Sequence, residues 1–123
     1  MAEGLQKKLQ QEVEKYKTVQ RDYQKILSIR QQLDGQLNEN NVVKEELDLL
    51  EPGANVFKLM GPVLVKHDLE EARQNVSKRI EYINSEMKRH DDNLKDLEKQ
   101  QNALQDSLNK FQQQFQQAQM KAA

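Results

Sequence analysis

The sequence predicts a mainly α protein, a long antiparallel two-helix coiled coil with one β-hairpin between the helices. Three observations carry that reading. Apolar residues recur at alternating steps of four and three on both sides of the chain's middle, the spacing of a heptad seam. One stretch, 52–68, breaks the pattern: Pro52-Gly53 and Gly61-Pro62 punctuate two short runs rich in Val, Leu and Phe. The 123 residues are 36% hydrophobic, 5% aromatic and 32% charged, too polar for a thick globular core and too periodic for a disordered chain. The whole is one domain over 1–123.

Helix one spans 1–51. Its seam runs through Leu5, Leu9, Tyr16, Val19, Tyr23, Ile26, Leu33, Leu37 and Leu47, with polar residues at four seam positions: Glu12, Arg30, Asn40 and Lys44. Gly35 falls at an outward position and costs the helix about 1 kcal/mol relative to Ala. Pro52 cannot continue the helix, and Gly53 permits the reversal.

The hairpin region, 52–68, reads as two strands, 55–59 and 63–66. Gly61 supplies the positive φ of a tight turn, and Pro62 suits the first position of the second strand, where its missing N–H need not join a ladder. Apolar side chains fall on both faces: Val56, Phe57, Leu59, Val63, Leu64 and Val65. A lone ribbon is marginal in water and leaves two unpaired edges. The rest of the chain offers no strand, so the partner strands must come from other polypeptides, and these six residues are the candidate subunit-assembly surface.

Helix two spans 69–119, followed by a tail, 120–123. Asp68 is its N-cap, with Glu71 three residues on in a capping-box pattern. The seam Leu69, Arg73, Val76, Ile80, Ile83, Met87, His90, Leu94, Leu97, Gln101, Leu104, Leu108, Phe111, Phe115, Ala118 has no Gly or Pro in it. At ~1.5 Å per residue each helix extends on the order of 70 Å. The hairpin turns the chain back, so the helices pack antiparallel, with opposed positions totalling about 120: Tyr23 by Leu97, Leu33 by Met87, Leu37 by Ile83, Leu9 by Phe111. In that register Arg30 faces His90, unless its head group reaches water along its stem.

Antiparallel packing gathers both termini at one tip, where Leu5, Leu9, Val13, Leu108, Phe111, Phe115 and Met120 cluster beside a glutamine-rich run, 112–119. Coiled-coil ends fray, which makes part of this surface reachable. Two readings fit: a grip for exposed apolar segments of another protein, or ordinary seam residues with a polar tail.

Other classes find little support. Lys and Arg number 19 against 20 Asp and Glu, so no basic field points to nucleic acid or an anionic membrane, and neither seam is led by the basic block of a DNA-binding zipper. No cysteine is present, and no run approaches a membrane span or signal peptide, so a soluble, unexported protein is expected. Four glycines include no GxGxxG or P-loop, which argues against nucleotide binding. Glu86 and His90, one turn apart, would hold a metal weakly at best; His67 stands at a helix start; and Ser28, Ser77, Ser85 and Ser107 have no adjacent base. Neither an enzyme nor a cofactor is expected.

The segment from Val56 to Lys66, VFKLMGPVLVK, set between two long helices, resembles the hairpin of a prefoldin β-type subunit. Asn40 to Leu47, NNVVKEEL, with Glu71-Ala72-Arg73 and Lys78-Arg79-Ile80, is similar to the eukaryotic subunit-six branch of that family. The resemblance spans nearly the whole chain. It implies a heterohexamer of two α-type and four β-type subunits, three of the latter further chains, whose hairpins form a double β-barrel from which six coiled coils hang. It implies a cytoplasmic, ATP-independent chaperone whose tips hold non-native proteins, chiefly actin and tubulin, and deliver them to the cytosolic chaperonin. On that reading the tip is the client grip. The alternative from another class is a passive coiled-coil spacer or scaffold.

Overall fold

A computed structural model describes residues 2–122. Two helices, α1 (Ala2–Asp48) and α2 (Leu69–Ala122), flank a hairpin of β1 (Val56–Met60) and β2 (Val63–His67). Helix one therefore ends three residues earlier than expected, and helix two continues through 120–122, where a tail was expected. The early stop has a local cause. The Leu50 N–H turns back to the Leu47 carbonyl at 3.2 Å in a tightened last turn, and the Ala54 N–H bonds to the Glu51 carbonyl at 3.1 Å. Pro52 and Gly53 are the two central residues of that second turn, and Gly53 has φ 87°, the type II arrangement.

The chain forms two compact units, one from 1–29 with 90–123 and the other from 30–89. In the first, the expected stripes of both helices are sheltered: Val19 is buried, and Leu5, Leu9, Tyr16, Tyr23, Ile26, Leu94, Leu97, Gln101, Leu104, Leu108, Phe111 and Phe115 are half-buried. Gln101 donates from its Nε2 to the Tyr16 hydroxyl at 3.2 Å. Ile26 and Ile29 share a groove with Asn93 and Leu97, whereas Leu9 and Val13 share one with Phe115. Numbers that rise along α1 fall along α2, so the pairing is antiparallel and close to the expected register.

The second unit holds the most deeply buried side chains, Leu47, Leu69, Ile83 and Met87. Its defining polar contact comes from Arg73. The first helix has no basic residue in its last turn to meet its orphaned carbonyls. Arg73 of α2 does so from across the coil, donating to the Leu47 carbonyl at 3.0 Å and to the Leu50 carbonyl at 3.2 Å, with Glu70 at 2.7 Å and Asp48 at 3.7 Å balancing its charge. Beside it, Asp68 begins α2. Its main-chain carbonyl accepts from Ala72 at 2.9 Å and its carboxylate from the Glu71 N–H at 3.4 Å.

Several polar seam residues of α1 meet neighbours on their own helix: Glu12 meets Lys15 at 3.4 Å, Arg30 meets Asp34 at 3.9 Å, and Asn40 donates to the Gln36 carbonyl at 2.7 Å. Lys44 is exposed. In α2, Arg73 and Gln101 instead reach across to α1. Such cross-helix bonds help define the register, because a slip of one turn strands their partners.

Candidate functional site

The ribbon is built by a ladder that pairs Val56 with His67, Phe57 with Lys66, Lys58 with Val65, Leu59 with Leu64 and Met60 with Val63. Only Gly61 and Pro62 remain for the turn. Gly61 at φ 59° followed by Pro62 is the order of a type II′ turn, whose twist matches that of the strands. Pro62 is thus the second turn residue, not the first residue of the second strand, because the Met60–Val63 pair closes the ladder around it. The first strand is shifted by one residue, starting at Val56 instead of Asn55 and ending at Met60, and the second reaches one residue further than expected, to His67.

Paired residues share a face. Val56, Lys58, Met60, Val63, Val65 and His67 lie on one face, and Phe57, Leu59, Leu64 and Lys66 on the other. Neither face is covered. Phe57, Leu59, Met60, Val63, Leu64 and Val65 are 40 to 67% exposed, so apolar side chains stand open on both faces of the ribbon. Met60 belongs to this surface although it was not expected there; it directly precedes the turn and was outside the first strand as expected. Of the six expected assembly residues only Val56 is half-buried, at the helix-proximal end. Both strands are edges, since the sheet has two strands among the described residues.

At that same end a groove is lined by Val43 and Leu47 of α1, by Val56, Phe57 and Lys58 of β1, by His67, and by Ala72, Asn75, Val76 and Arg79 of α2. Val42 and Val43 on α1 and Leu49 and Leu50 beyond it add exposed apolar surface nearby in sequence. These residues were missed because the heptad count places Lys44, not Val43, on the seam. The available signal was the unbroken Val42-Val43 pair, which no single helical stripe can bury whole.

The expected tip residues divide. Leu9, Val13 and Phe115 line one groove together with Gln6 and Gln10. Leu5, Leu108 and Phe111 are half-buried on the stripe, while Met120 is 78% exposed. The seven residues thus form a half-committed stripe with one open groove and one projecting methionine.

Among the described residues no three His, Cys, Asp or Glu side chains are grouped to hold a metal. Glu86 is engaged by Arg89 at 2.5 Å, a hydrogen bond that, with the carboxylate's charge, raises the guanidinium pKa further. Among the described residues no helix is long and apolar enough to cross a membrane.

Residues 10–120 match the family described as Prefoldin subunit. The chain is 56% identical to Prefoldin subunit 6 of Mus musculus over 119 residues, covering 97% of this chain and 94% of the mouse protein. It is likewise 56% identical to Prefoldin subunit 6 of Homo sapiens, covering 97% and 92%. Prefoldin subunit 6 of Arabidopsis thaliana is 48% identical, covering 91% and 87%. The fold is that of the crystal structure of the prefoldin beta subunit from Thermococcus strain KS-1, with TM-score 0.59 at 23% identity, covering 90% of this chain and 91% of that one. A two-helix coil closed by an open ribbon, matched in sequence along nearly its full length, places this chain in the prefoldin family as a subunit of a prefoldin chaperone.

Proposed function

We propose that the chain is one of six subunits of an ATP-independent holdase, in which two α-type and three further β-type subunits join it through their hairpins in an intersubunit double β-barrel. The observation that carries this reading is the ribbon. It has two unpaired edges and two apolar faces, and strand addition from neighbouring chains would satisfy both. The assembly residues are Val56, Phe57, Leu59, Val63, Leu64 and Val65, joined by Met60.

The coiled-coil tip, with Leu5, Leu9, Val13, Leu108, Phe111, Phe115 and Met120, holds non-native proteins such as actin and tubulin in the cytoplasm and passes them to the cytosolic chaperonin. The open groove at Leu9, Val13 and Phe115 and the exposed Met120 support this role, since a side chain only half-committed to its own seam can trade that contact for a client's. Several weak tips acting on one client supply avidity while each contact stays releasable.

The test replaces Phe111 and Phe115 with Ser at full helix length and measures suppression of client aggregation by the assembled hexamer. Partial loss is expected, deepening when neighbouring tips are altered too, with assembly intact. An unchanged result in both backgrounds would leave the chain as a spacer.

A further inference from the structure

The two edges of the ribbon differ in what lies beside them. Val56, Phe57 and Lys58 of β1 line the groove, against His67 alone from β2, so the groove runs along the β1 side. A two-residue turn makes Met60–Val63 a hydrogen-bonded pair, and the alternation of an antiparallel ladder then points the N–H and C=O groups of Phe57 and Leu59 out of the β1 edge. A strand added there continues the face that carries Val56 and Lys58. Its inward side chains therefore extend over Val43, Leu47, Ala72 and Val76.

The groove's charge indicates the partner. Lys58 and Arg79 stand at it, and no Asp or Glu lines it. The residues across from and flanking Lys58 on its face, Val65, Val56 and Met60, are apolar, and the positions one turn from Arg79 are Asn75, Val76, Tyr82 and Ile83. A second copy of this chain would not complement it, because residues 54–67 contain Lys58 and Lys66 and no carboxylate. We infer that the β1 edge receives a strand from a different subunit, one that places an apolar side chain over the groove floor and a carboxylate against Lys58 and Arg79. The inference rests on the assembly role proposed for the ribbon and adds which edge, which partner chemistry and which residues select it.

The experiment reconstitutes the full chain with the other subunits of its own prefoldin and follows incorporation by native mass spectrometry. Lys58→Glu and Arg79→Glu should each weaken incorporation about tenfold, with Lys66→Glu, on the opposite face, close to wild type. Wild-type incorporation should also weaken between about 50 and about 500 mM salt, and Lys58→Gln with Arg79→Gln, which removes charge without reversing it, should flatten that dependence. Wild-type behaviour of both Glu variants, or equal damage from Lys66→Glu, would overturn the inference. Charging Phe57 and Leu64 separates the two levels. If that variant is excluded while the Lys58 and Arg79 variants enter normally, only the groove assignment falls; if it too enters normally, the ribbon's assembly role falls.

Discussion

The helical seam and the ribbon use the same kinds of apolar side chain, and they bury them to opposite degrees. Ile83 on α2 is 3% exposed, whereas Leu59 on β1 is 67% exposed. The seam has its complement in the same polypeptide, because the reversal at 52–68 brings the second stripe to the first. A two-stranded ribbon has no such complement: its interstrand bonds join β1 to β2 and leave both outer edges and both faces unmet. Apolar residues in the seam therefore stabilise this chain, whereas those in the ribbon have no complement in it and are left for the assembly role proposed above.

The largest expected effect tests that division directly. Phe57→Asp with Leu64→Asp should abolish incorporation into the proposed hexamer while the far-ultraviolet dichroism of the isolated chain stays near wild type. Normal co-purification of the variant with its partners would remove the distinction between the two regions.

The seam itself is graded. Among the described residues no large side chain is fully buried, so the coil is partly wet along its length. Ile83→Ala should cost about 2–4 kcal/mol in thermal or denaturant unfolding, whereas Leu94→Ala, at a half-buried position, should fall at or below the lower end of that range. The reverse order would mean that burial along the seam does not set its energetics.

Arg73 belongs to both regions, because it ties the end of α1 to the start of α2 beside the ribbon. Arg73→Met keeps much of the stem's packing and removes the bonds to the Leu47 and Leu50 carbonyls, for an expected loss of about 1–3 kcal/mol. Arg73→Lys should recover only part of this, since one ammonium cannot reproduce the planar fork. Full recovery by Lys would reduce the contact to simple charge.

The smallest effect is a gain. Gly35 is helical and exposed, and a Cβ there would meet nothing within 4 Å. Gly35→Ala should stabilise the chain by up to about 1 kcal/mol without touching assembly. A loss of incorporation would mean that α1 needs the glycine's freedom or bare surface in the complex.

Much of this architecture was legible beforehand for a physical reason. Heptad spacing from Leu5 to Leu47 and from Leu69 to Ala118 is a repeated signal, so single exceptions such as Lys44 do not erase it, and Gly61-Pro62 allows few alternatives to a tight turn. The ends of elements were less legible. The stop at Asp48 depends on a tightened turn and on Arg73, which lies 26 positions away from Leu47 in sequence. The tip was legible as a cluster of apolar residues and not as a groove, because the groove joins Phe115 to Leu9 and Val13 on the other helix.

By itself the sequence determined the two stripes, the glycine of the turn, the N-cap at Asp68 and the apolar character of both ribbon faces, since each depends on residues close together in the chain. Only the tertiary structure decided that Arg73 leaves the seam's apolar role to cap α1, that Gln101 bonds Tyr16, and that Val43, Val56 and Val76 join Lys58 and Arg79 around one groove. Those contacts unite α1, the hairpin and α2, or one helix and the other. Heptad periodicity records which side of a helix is apolar, but not which distant donor reaches a given carbonyl once the chain has turned back.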